Sequence, residues 1–228
     1  MKAIAFDLGD TLVEYEGLPL SWEEHYPEAL RNLAAFLGIS ADSDHLVRAC
    51  AVLRRYNTRI IPRAEEVSFE VILGELIKSL GATVQADEVE CAVSFFHIFR
   101  QRLRCFPETR AAVDGLREKN LKVGIFTDVP YGMPRQLVLE DVRGAGLEHS
   151  FDVLMTSRDA GFRKPSVATL GSLAKLLDCS AGEMAYVGNE KKDVEVALAF
   201  GCHSILIDRK QHGSDWGQHR TITSLSEL

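Results

Sequence analysis

Two aspartates lie close together in the segment FDLGDTL, residues 6–12, directly after the short apolar run KAIAF. A carboxylate can attack a phosphoryl group and so divide a difficult displacement into two easier steps. Asp7, at the end of the apolar run, is our candidate for such a nucleophile. Asp10 is the second carboxylate of the segment, and Gly9 stands between the two.

Polar residues also follow three later apolar runs. They are Thr127 and Asp128 after VGIF, Lys164 in the loop after DVLMT, and Asn189 and Asp193 in the segment after MAYV. In open α/β sheets the ligand site lies beyond the carboxyl ends of the strands, so we expect these residues to meet Asp7 at one edge. A turn or a helix cap explains each residue taken singly. Their joint occurrence indicates a functional site.

This set of side chains suits phosphoryl transfer through an aspartyl phosphate. The hydroxyl of Thr127 can donate to a phosphoryl oxygen, and the ammonium of Lys164 can neutralise both the nucleophile and the phosphate. The acidic segment after MAYV can hold a hard divalent cation, for which Mg²⁺ is the natural choice because it prefers oxygen ligands. The sequence therefore predicts an Mg²⁺-dependent site for a small phosphorylated molecule.

The elements that must position these residues follow an α/β pattern. Beyond residue 106, short apolar runs alternate with segments of 11 to 17 residues in which apolar positions recur at three and four. That alternation predicts βαβ units and a parallel, Rossmann-like sheet covered on both faces. The C-terminal TITSLSEL is predicted to add one short strand and a helical turn.

Residues 16–105 have a different pattern, which predicts helix throughout. About four amphipathic helices fit, the last of them covering EVECAVSFFHIFRQRLRC. A helical block between the first two strands of a parallel sheet is best explained as an insertion packed over the carboxyl edge of that sheet. We predict a Rossmann-like core of residues 1–15 and 106–228 and a helical cap of residues 16–105, called the insertion below.

These motifs are similar to those of the haloacid dehalogenase superfamily. The resemblance rests on FDLGDTL, the strand that ends at Thr127, GFRKP and VGNEKKDVEVALAFG, in that order, with a helical insertion between the first two. It covers essentially the whole chain. It implies a Rossmann-like core, Mg²⁺ dependence and an aspartyl nucleophile.

The resemblance implies a role for each matching residue. Asp7 would be the nucleophile and a metal ligand, Gly9 a metal ligand through its backbone carbonyl, Thr127 the phosphate binder, Lys164 the neutralising cation, and Asn189 and Asp193 the metal cluster. We add Asp128, next to Thr127, to the substrate-binding residues, and Asp10 to the catalytic candidates.

Two positions depart from the pattern of the family. Its phosphatases usually have an aspartate two residues after the nucleophile, where it protonates the leaving group and later activates water; Gly9 stands there in this chain, and Asp10 takes the neighbouring position. Losing a general acid and base typically costs about two to four orders of magnitude in rate. Asn189 stands where the family usually has aspartate, and its uncharged oxygen predicts weaker metal binding.

Three functions are consistent with these departures. The first is a weak phosphatase that uses Asp10 or water, or that acts on esters whose leaving groups need no proton, such as acyl or aryl phosphates. The second is a binding or regulatory protein that keeps the fold and has lost most turnover. The third is hydrolysis at a carbon centre, since the dehalogenase branch also lacks that aspartate. We favour the first, because Lys164 and Asp193 are retained.

Composition and charge limit the classes of partner that we expect this protein to bind. The net charge of −7 and the absence of a Lys/Arg-rich block argue against nucleic acids and anionic membranes. No apolar stretch approaches the roughly 18 residues of a membrane span, and the N-terminal apolar run is too short for a signal peptide. The five cysteines are scattered, which is typical of buried thiols in a reducing compartment, so we expect a cytoplasmic protein. The sequence carries no signal of oligomeric state.

Overall fold

The computed structural model describes residues 1–101 and 103–228, so that Arg102, within the predicted last helix of the insertion, lies outside the described residues. The strands are β1 (Ala3–Phe6), β2 (Val13–Tyr15), β3 (Leu103–Cys105), β4 (Lys122–Thr127), β5 (Val153–Thr156), β6 (Met184–Gly188), β7 (His203–Ile207) and β8 (Arg220–Ile222). The α-helices are α1 (Tyr26–Phe36), α2 (Ser43–Tyr56), α3 (Phe69–Ser79), α4 (Glu88–Arg100), α5 (Thr109–Glu118), α6 (Arg135–Gly144), α7 (Ser157–Ala160), α8 (Val167–Leu176) and α9 (Lys191–Phe200).

The larger sheet is parallel and has the strand order β5-β4-β1-β6-β7-β8. β1 lies in its interior, where Ile4 pairs with Val123 of β4 on one side and with Ala185 of β6 on the other. The strand order reverses at β1, which opens the crevice where folds of this class bind ligands. This sheet, with helices on its faces, confirms the predicted α/β, Rossmann-like fold.

Side chains of β1 alternate between two apolar clusters, one on each face of the sheet. Ile4 and Phe6 belong to the first cluster, and Ala3 and Ala5 belong to the second, together with Leu173 of α8. All four residues of the strand are buried. A strand covered on both faces has no polar positions, which explains why KAIAF reads as a continuous apolar run.

The insertion shares the first of these clusters with the sheet. Phe95 and Phe96 of α4 and Leu30 of α1 belong to the same contiguous group as Phe6 of β1 and Ile125 of β4. The aromatic rings within it make edge contacts, and the centroids of Phe95 and Phe96 are 4.9 Å apart. The apolar core therefore continues without a break from the parallel sheet into the inserted helices.

The chain enters and leaves the insertion through a two-stranded antiparallel ribbon. Val13 of β2 pairs with Cys105 of β3, and Tyr15 pairs with Leu103. The prediction of a last helix that extends to Cys105 was wrong at its end, because α4 stops at Arg100 and the backbone of β3 then pairs with β2. The segment that was read as the last helical turn is a strand that returns the chain to the core.

Ion pairs join the insertion to the core helices α7 and α6. Arg158 of α7 donates to both carboxylate oxygens of Glu88, at 2.7 and 2.9 Å. At the end of α4, the Nε atom of Arg100 donates to Oδ1 of Asp141 in α6 at 2.7 Å. Bidentate or buried pairs of this kind define a geometry more sharply than exposed ones.

A short backbone bridge also joins the insertion to the loop that carries Lys164. The amide of Glu66 donates to the carbonyl of Gly161 at 3.0 Å, and the amide of Arg163 donates to the carbonyl of Ala64 at 2.8 Å. The insertion is therefore hydrogen-bonded, backbone to backbone, to the residue that precedes Lys164. Among the described helices, none is long and apolar enough to cross a bilayer.

Candidate active site

The carboxyl ends of β1, β4 and β6 bring their polar residues to one cleft between the sheet and the insertion. Asp7 follows β1, and Thr127 is the last residue of β4. Both line the cleft, which has a volume of about 180 Å³, and Arg59 lines it from the insertion side. The meeting of strand ends that the sequence predicted is therefore present in the structure.

Lys164 is the centre of the polar network beneath this cleft. Its side chain is fully buried, and its Nζ donates to Oδ1 of Asp7 at 2.7 Å and to the hydroxyl of Tyr186 at 3.1 Å. The same Nζ lies 2.6 Å from Oδ1 of Asp193. Burial opposes the ammonium charge, but Asp193 and Asp7 outweigh it and hold the pKa of Lys164 well above its usual value. One buried cation thus joins two carboxylates.

Tyr186 of β6 fixes the position of that cation. Its hydroxyl donates to the carbonyl of Phe126 at 3.0 Å while it accepts from Lys164. Tyr186 was not among the predicted site residues, because a tyrosine inside an apolar run is typical of core packing. No pattern in the sequence distinguishes a core tyrosine from one whose hydroxyl meets a buried lysine.

Burial raises the pKa of Asp7 to about 6, with Lys164 opposing the rise and Asp193 adding to it. The carboxylate has little solvent around it, since only 8% of the residue is exposed. A carboxylate held in this way loses less solvation when it attacks an electrophile than one in bulk water. The environment of Asp7 is consistent with its predicted role as a nucleophile.

Asp193 reaches the network because Gly188 has no side chain. A Cβ at Gly188 would lie 2.4 Å from the Cβ and Cγ atoms of Asp193, closer than real atoms approach. Oδ2 of Asp193 accepts from the amide of Glu190 at 2.9 Å, which caps the start of α9. Its Oδ1, by contrast, is buried without a hydrogen-bond partner within the described part of the chain and faces only the ammonium of Lys164.

The oxygen atoms of this region are ligands of the type that a hard divalent cation prefers, but they supply little negative charge. Asp7 and Asp193 supply two carboxylates, and Oδ1 of Asp193 makes no hydrogen bond within the described residues, although it is ion-paired with Lys164 at 2.6 Å. Asn189 adds an amide oxygen that accepts from Thr11 at 3.3 Å. Among residues 1–101 and 103–228, no three His, Cys, Asp or Glu side chains form a metal-binding group by themselves. Neutral oxygens would have to complete the coordination, which favours weak Mg²⁺ binding.

Asp128 holds cations rather than facing the cleft as a free anion. Its Oδ2 accepts from Nζ of Lys192 at 3.1 Å, and its Oδ1 accepts from the backbone amide of Lys164 at 3.1 Å. Burial opposes its charge, but Lys192, Lys164 and Arg163 outweigh that effect and keep the pKa of Asp128 below its usual range. Asp128 lines the cleft with its charge balanced by these cations, and its predicted contact with substrate stays a prediction.

Lys192 and Arg59 place positive charge at the mouth of the cleft, and both meet Glu190. Nζ of Lys192 is 3.1 Å from Oε2 of Glu190. Nη1 of Arg59 donates to the same oxygen at 3.0 Å, and its Nη2 pairs with Oε1. Burial of Glu190 opposes its charge, but Arg59 and Lys192 outweigh it and lower the pKa to about 2. Lys192 was missed by the sequence analysis, because paired lysines at a helix start are typical of a solvated face.

The turn after Asp7 explains how Gly9 and Asp10 are oriented. Asp10 has a left-handed backbone with φ of 55°, a conformation that favours glycine, and its amide donates to the carbonyl of Val13 at 2.6 Å. A Cβ at Gly9 would meet only Tyr15, at 4.0 Å. Position 9 therefore has room for a side chain, and position 10 is where the turn prefers none.

The carboxylate of Asp10 lines the cleft near its solvent side. The residue as a whole is exposed, yet partial burial of the carboxyl raises its pKa against the opposing charge of Lys210. Glu190 adds to the rise, and Arg59 opposes it. The charges that act most on Asp10 are therefore those of Lys210, Glu190 and Arg59 rather than that of Lys164.

Aromatic and aliphatic side chains form the wall of the cleft beyond Asp7. The ring of Trp22 stacks on Phe99 with a centroid distance of 4.0 Å and an interplanar angle of 10°. Trp22 also approaches Tyr15 at 6.4 Å and Tyr131 at 6.3 Å. The three rings that line the cleft are thereby held by one another and by the insertion.

Proteins similar to this chain in sequence include phosphatases from microorganisms. The chain is 24% identical to a glyceraldehyde 3-phosphate phosphatase of Methanothermobacter thermautotrophicus, over 91% of this chain and 86% of that protein. It is 31% identical to a phosphoserine phosphatase of Thermus thermophilus over 53% of this chain, and this match spans about half of that relative, 47% of its length.

Solved structures with the same fold include phosphatases and dehalogenases. An HAD phosphatase from Thermococcus onnurineus superposes with a TM-score of 0.68 at 23% identity, covering 100% of this chain and 96% of that one. A 2-haloacid dehalogenase from Pseudomonas syringae pv. Tomato gives a TM-score of 0.67 at 22% identity, with coverage of 100% and 96%. At this level of identity, these likenesses concern the fold alone.

The match to a family extends through most of the core and all of the insertion. The sequence model of the haloacid dehalogenase-like hydrolases matches residues 1–201, from the strand before Asp7 to the end of the helix that contains Asp193. This range includes both flanks of the cleft and the ribbon that leads into the insertion. The chain therefore belongs to the haloacid dehalogenase-like hydrolase family.

Proposed function

We propose that the protein is an Mg²⁺-dependent phosphohydrolase that acts on a small phosphorylated molecule through an aspartyl phosphate on Asp7. The observation that carries the proposal is the buried ammonium of Lys164, which lies 2.7 Å from Asp7 and 2.6 Å from Asp193 beneath the cleft. In this arrangement, the carboxylate of Asp7 lies at the end of β1 with a buried positive charge beside it. The names of the phosphatase relatives support a phosphate ester as substrate.

Each proposed role follows from the position of a side chain. An oxygen of Asp7 attacks phosphorus, the bond from phosphorus to the ester oxygen breaks, and its electron pair stays on that oxygen, which then takes a proton from water. The hydroxyl of Thr127, at the end of β4, donates to a phosphoryl oxygen, and Lys164 neutralises the charge that gathers on the transferred group. Water then hydrolyses the acyl phosphate and releases Asp7.

Mg²⁺, when bound by Asp7, the Gly9 carbonyl, Asn189 and Asp193, would supply further charge neutralisation at the phosphoryl group. Low activity is part of the proposal, since Gly9 offers no acid for the leaving group and no base for the second step. We further propose that residues 16–105 act as a cap over a core of residues 1–15 and 106–228. A reducing, cytoplasmic setting is supported by the five cysteines, none of which is in a disulfide.

The decisive experiment combines turnover with detection of the covalent intermediate. Wild type and Asp7→Asn would be assayed against a panel of phosphorylated metabolites with and without Mg²⁺, and acid-quenched samples would be analysed by intact mass for a phosphate adduct. We expect Mg²⁺-dependent turnover and an adduct in wild type, and neither in Asp7→Asn. Binding without any turnover would instead support a regulatory protein, and metal-independent release of halide from haloacids would support carbon-centre hydrolysis.

A further inference from the structure

On the basis of the proposed phosphohydrolase function, we propose that the substrate is the phosphate monoester of a small phenol, a single aromatic ring with no second anionic group. Four features of the cleft point to this class. Its wall is formed largely by apolar and aromatic side chains, its lining amide is already hydrogen-bonded, its lining cations are already ion-paired, and its volume is small. A fifth, the chemistry at Gly9, leads to the same class independently.

The wall that would face the leaving group consists of flat rings and aliphatic side chains. Tyr15, Trp22 and Tyr131 line it together with Leu18 and Val138. The indole of Trp22 stacks on Phe99 with a centroid distance of 4.0 Å, so packing within the insertion orients this ring. Flat aromatic surfaces favour a flat apolar group, because stacked or edge-to-face rings add to the gain from apolar burial.

The amide that lines this part of the cleft is already engaged in hydrogen bonds. Nδ2 of Asn57 donates to the hydroxyl of Tyr26 at 2.8 Å and to Oγ of Ser21 at 3.0 Å. Its Oδ1 accepts from the backbone amide of Arg59 at 2.9 Å. The hydroxyls of a sugar or polyol that lost their water here would compete for this amide, and unpaired polar groups carry a large penalty.

The cations that line the cleft are likewise paired, within the part of the chain that the structure describes. Arg59 pairs with Glu190, Lys192 pairs with Glu190 and Asp128, and Arg163 pairs with Glu66. A carboxylate or second phosphate on the substrate would have to displace one of these partners. The cleft therefore favours a substrate whose sole anionic group is the phosphate that reaches Asp7.

The volume of the cleft limits the size of the organic group. Its volume of about 180 Å³ is below the range of roughly 300 to 1,000 Å³ of sites for drug-sized ligands. A phosphate together with one ring, rather than a nucleotide or a disaccharide, suits this space.

The chemistry at position 9 selects leaving groups by a separate criterion. When the bond from phosphorus to the ester oxygen breaks, its electron pair stays on that oxygen, and Gly9 supplies no proton to it. A phenolate is stable enough to leave as an anion and to take its proton from water afterwards, whereas an alkoxide needs the proton as the bond breaks. The wall and the missing acid thus favour the same aromatic esters.

The test uses phosphonates, which cannot be hydrolysed, so that affinity is separated from leaving-group chemistry. Binding of phenylphosphonate, methylphosphonate and phosphonoacetate to the wild-type protein would be measured by titration calorimetry. We expect phenylphosphonate to bind about tenfold tighter than methylphosphonate, a difference that corresponds to about 1.4 kcal/mol. Phosphonoacetate, which carries a carboxylate, should bind no better than methylphosphonate.

Two variants test whether the preference for the phenyl group comes from the wall of the cleft, and a third variant is the control. Trp22→Ala and Leu18→Asn should each abolish the preference for the phenyl group, while Trp216→Ala should keep it, since Trp216 is the second tryptophan of the chain and does not line the cleft. Leu18→Asn keeps the proposal testable if Trp22→Ala does not fold. In turnover, phenyl phosphate should exceed glyceraldehyde 3-phosphate.

The outcomes separate this inference from the function on which it rests. Tighter binding of phosphonoacetate, or efficient turnover of glyceraldehyde 3-phosphate with phenyl phosphate ignored, would overturn the phenolic substrate and leave the phosphohydrolase proposal intact. A preference for the phenyl group that persists in both Trp22→Ala and Leu18→Asn would also overturn it. Absence of turnover and of a covalent adduct with every ester would overturn the proposed function itself.

Discussion

At the scale of single residues, the proposed role of Lys164 depends on one ammonium group that lies between two carboxylates. We predict that Lys164→Ala lowers kcat for phosphate ester hydrolysis by about 10² to 10³, because a group aimed at transition-state charge is worth about that much. The assay would use Mg²⁺ and phenyl phosphate, with circular dichroism to show that the variant is folded. Lys78→Ala is the matched control, since Lys78 is exposed on α3, and equal rates for both variants would contradict the role given to Lys164.

Gly9 and Asp10 give a second prediction at this scale. Gly9→Asp combined with Asp10→Gly should raise alkyl phosphate turnover by up to about 10² to 10⁴, and aryl phosphate turnover by less, because only the alkoxide needs an acid. The structure favours the exchange: a Cβ at position 9 meets nothing closer than Tyr15 at 4.0 Å, and position 10 has the backbone of a glycine. Rates for both ester classes would be compared. If Asp10→Asn alone abolished alkyl phosphate turnover in the wild-type background, Asp10 would be the acid.

The buried carboxyl of Asp7 makes stability depend on pH. Its pKa in the folded protein is about 6, above the ordinary 3.8, so the protein loses stability as the pH rises between these values and Asp7 ionises. Asp7→Asn removes that ionisation. We predict that Asp7→Asn is more stable than wild type by up to about 3 kcal/mol above pH 7, with little difference near pH 4. Urea unfolding with a chelator present would measure this, and a pH-independent difference would contradict it.

Sequence reasoning predicted the positions of site residues better than it predicted the directions of side chains. Asp7, Thr127 and Lys164 could be placed at one edge, because strand ends in a parallel sheet share that edge. The pairing of Asp128 with Lys192 could not be predicted, because it depends on how the segments after β4 and β6, which lie on either side of β1, face each other. Arg59 was no different in pattern from the other arginines of the insertion, and only the packing of the insertion over the sheet brings it to Glu190.

At the scale of elements, Glu66 connects the insertion to the loop that carries Lys164 through ion pairs and a hydrogen bond. Its side chain is 2% exposed and meets Arg163, Arg63 at 3.0 Å and the hydroxyl of Ser157 at 2.6 Å. We predict that Glu66→Gln costs about 3 kcal/mol of unfolding free energy, since it leaves buried guanidinium groups without their charge partner. Denaturant unfolding would measure it. Glu90→Gln, at an exposed position of α4, should be nearly neutral, and equal effects would show that Glu66 is not a fastening point.

The strands of the core could be predicted from sequence, because a strand buried on both faces is an apolar run bounded by turns. The ribbon of β2 and β3 could not. Leu103–Cys105 continues the pattern of α4 in the sequence, and only the return of the chain to Val13–Tyr15 makes the extended form favourable. Tertiary pairing overrides local helical preference at such a point.

At the scale of the whole molecule, the shared apolar cluster couples the insertion to the core. We predict that both unfold in one cooperative transition. Trp22→Phe leaves Trp216 as the fluorescent reporter of the core, and Trp216→Phe leaves Trp22 as the reporter of the insertion. For each variant, the urea midpoint measured by tryptophan fluorescence should equal the urea midpoint measured by circular dichroism, which reports the loss of secondary structure. A separate, earlier transition seen by Trp22 would contradict the shared core.

The ribbon that joins the two parts also bears on how such a molecule can change over evolutionary time. Val13 and Cys105 are cross-strand partners, so the chain leaves the core and returns to it at neighbouring points. None of the described residues between them takes part in the six-stranded sheet. Recombination at this junction would exchange Tyr15, Leu18 and Trp22 in a single genetic event, while Tyr131, Val138 and the strand ends that carry Asp7 and Thr127 keep their order. Part of the contact with the leaving group would then change without a change in the residues that carry the bond chemistry.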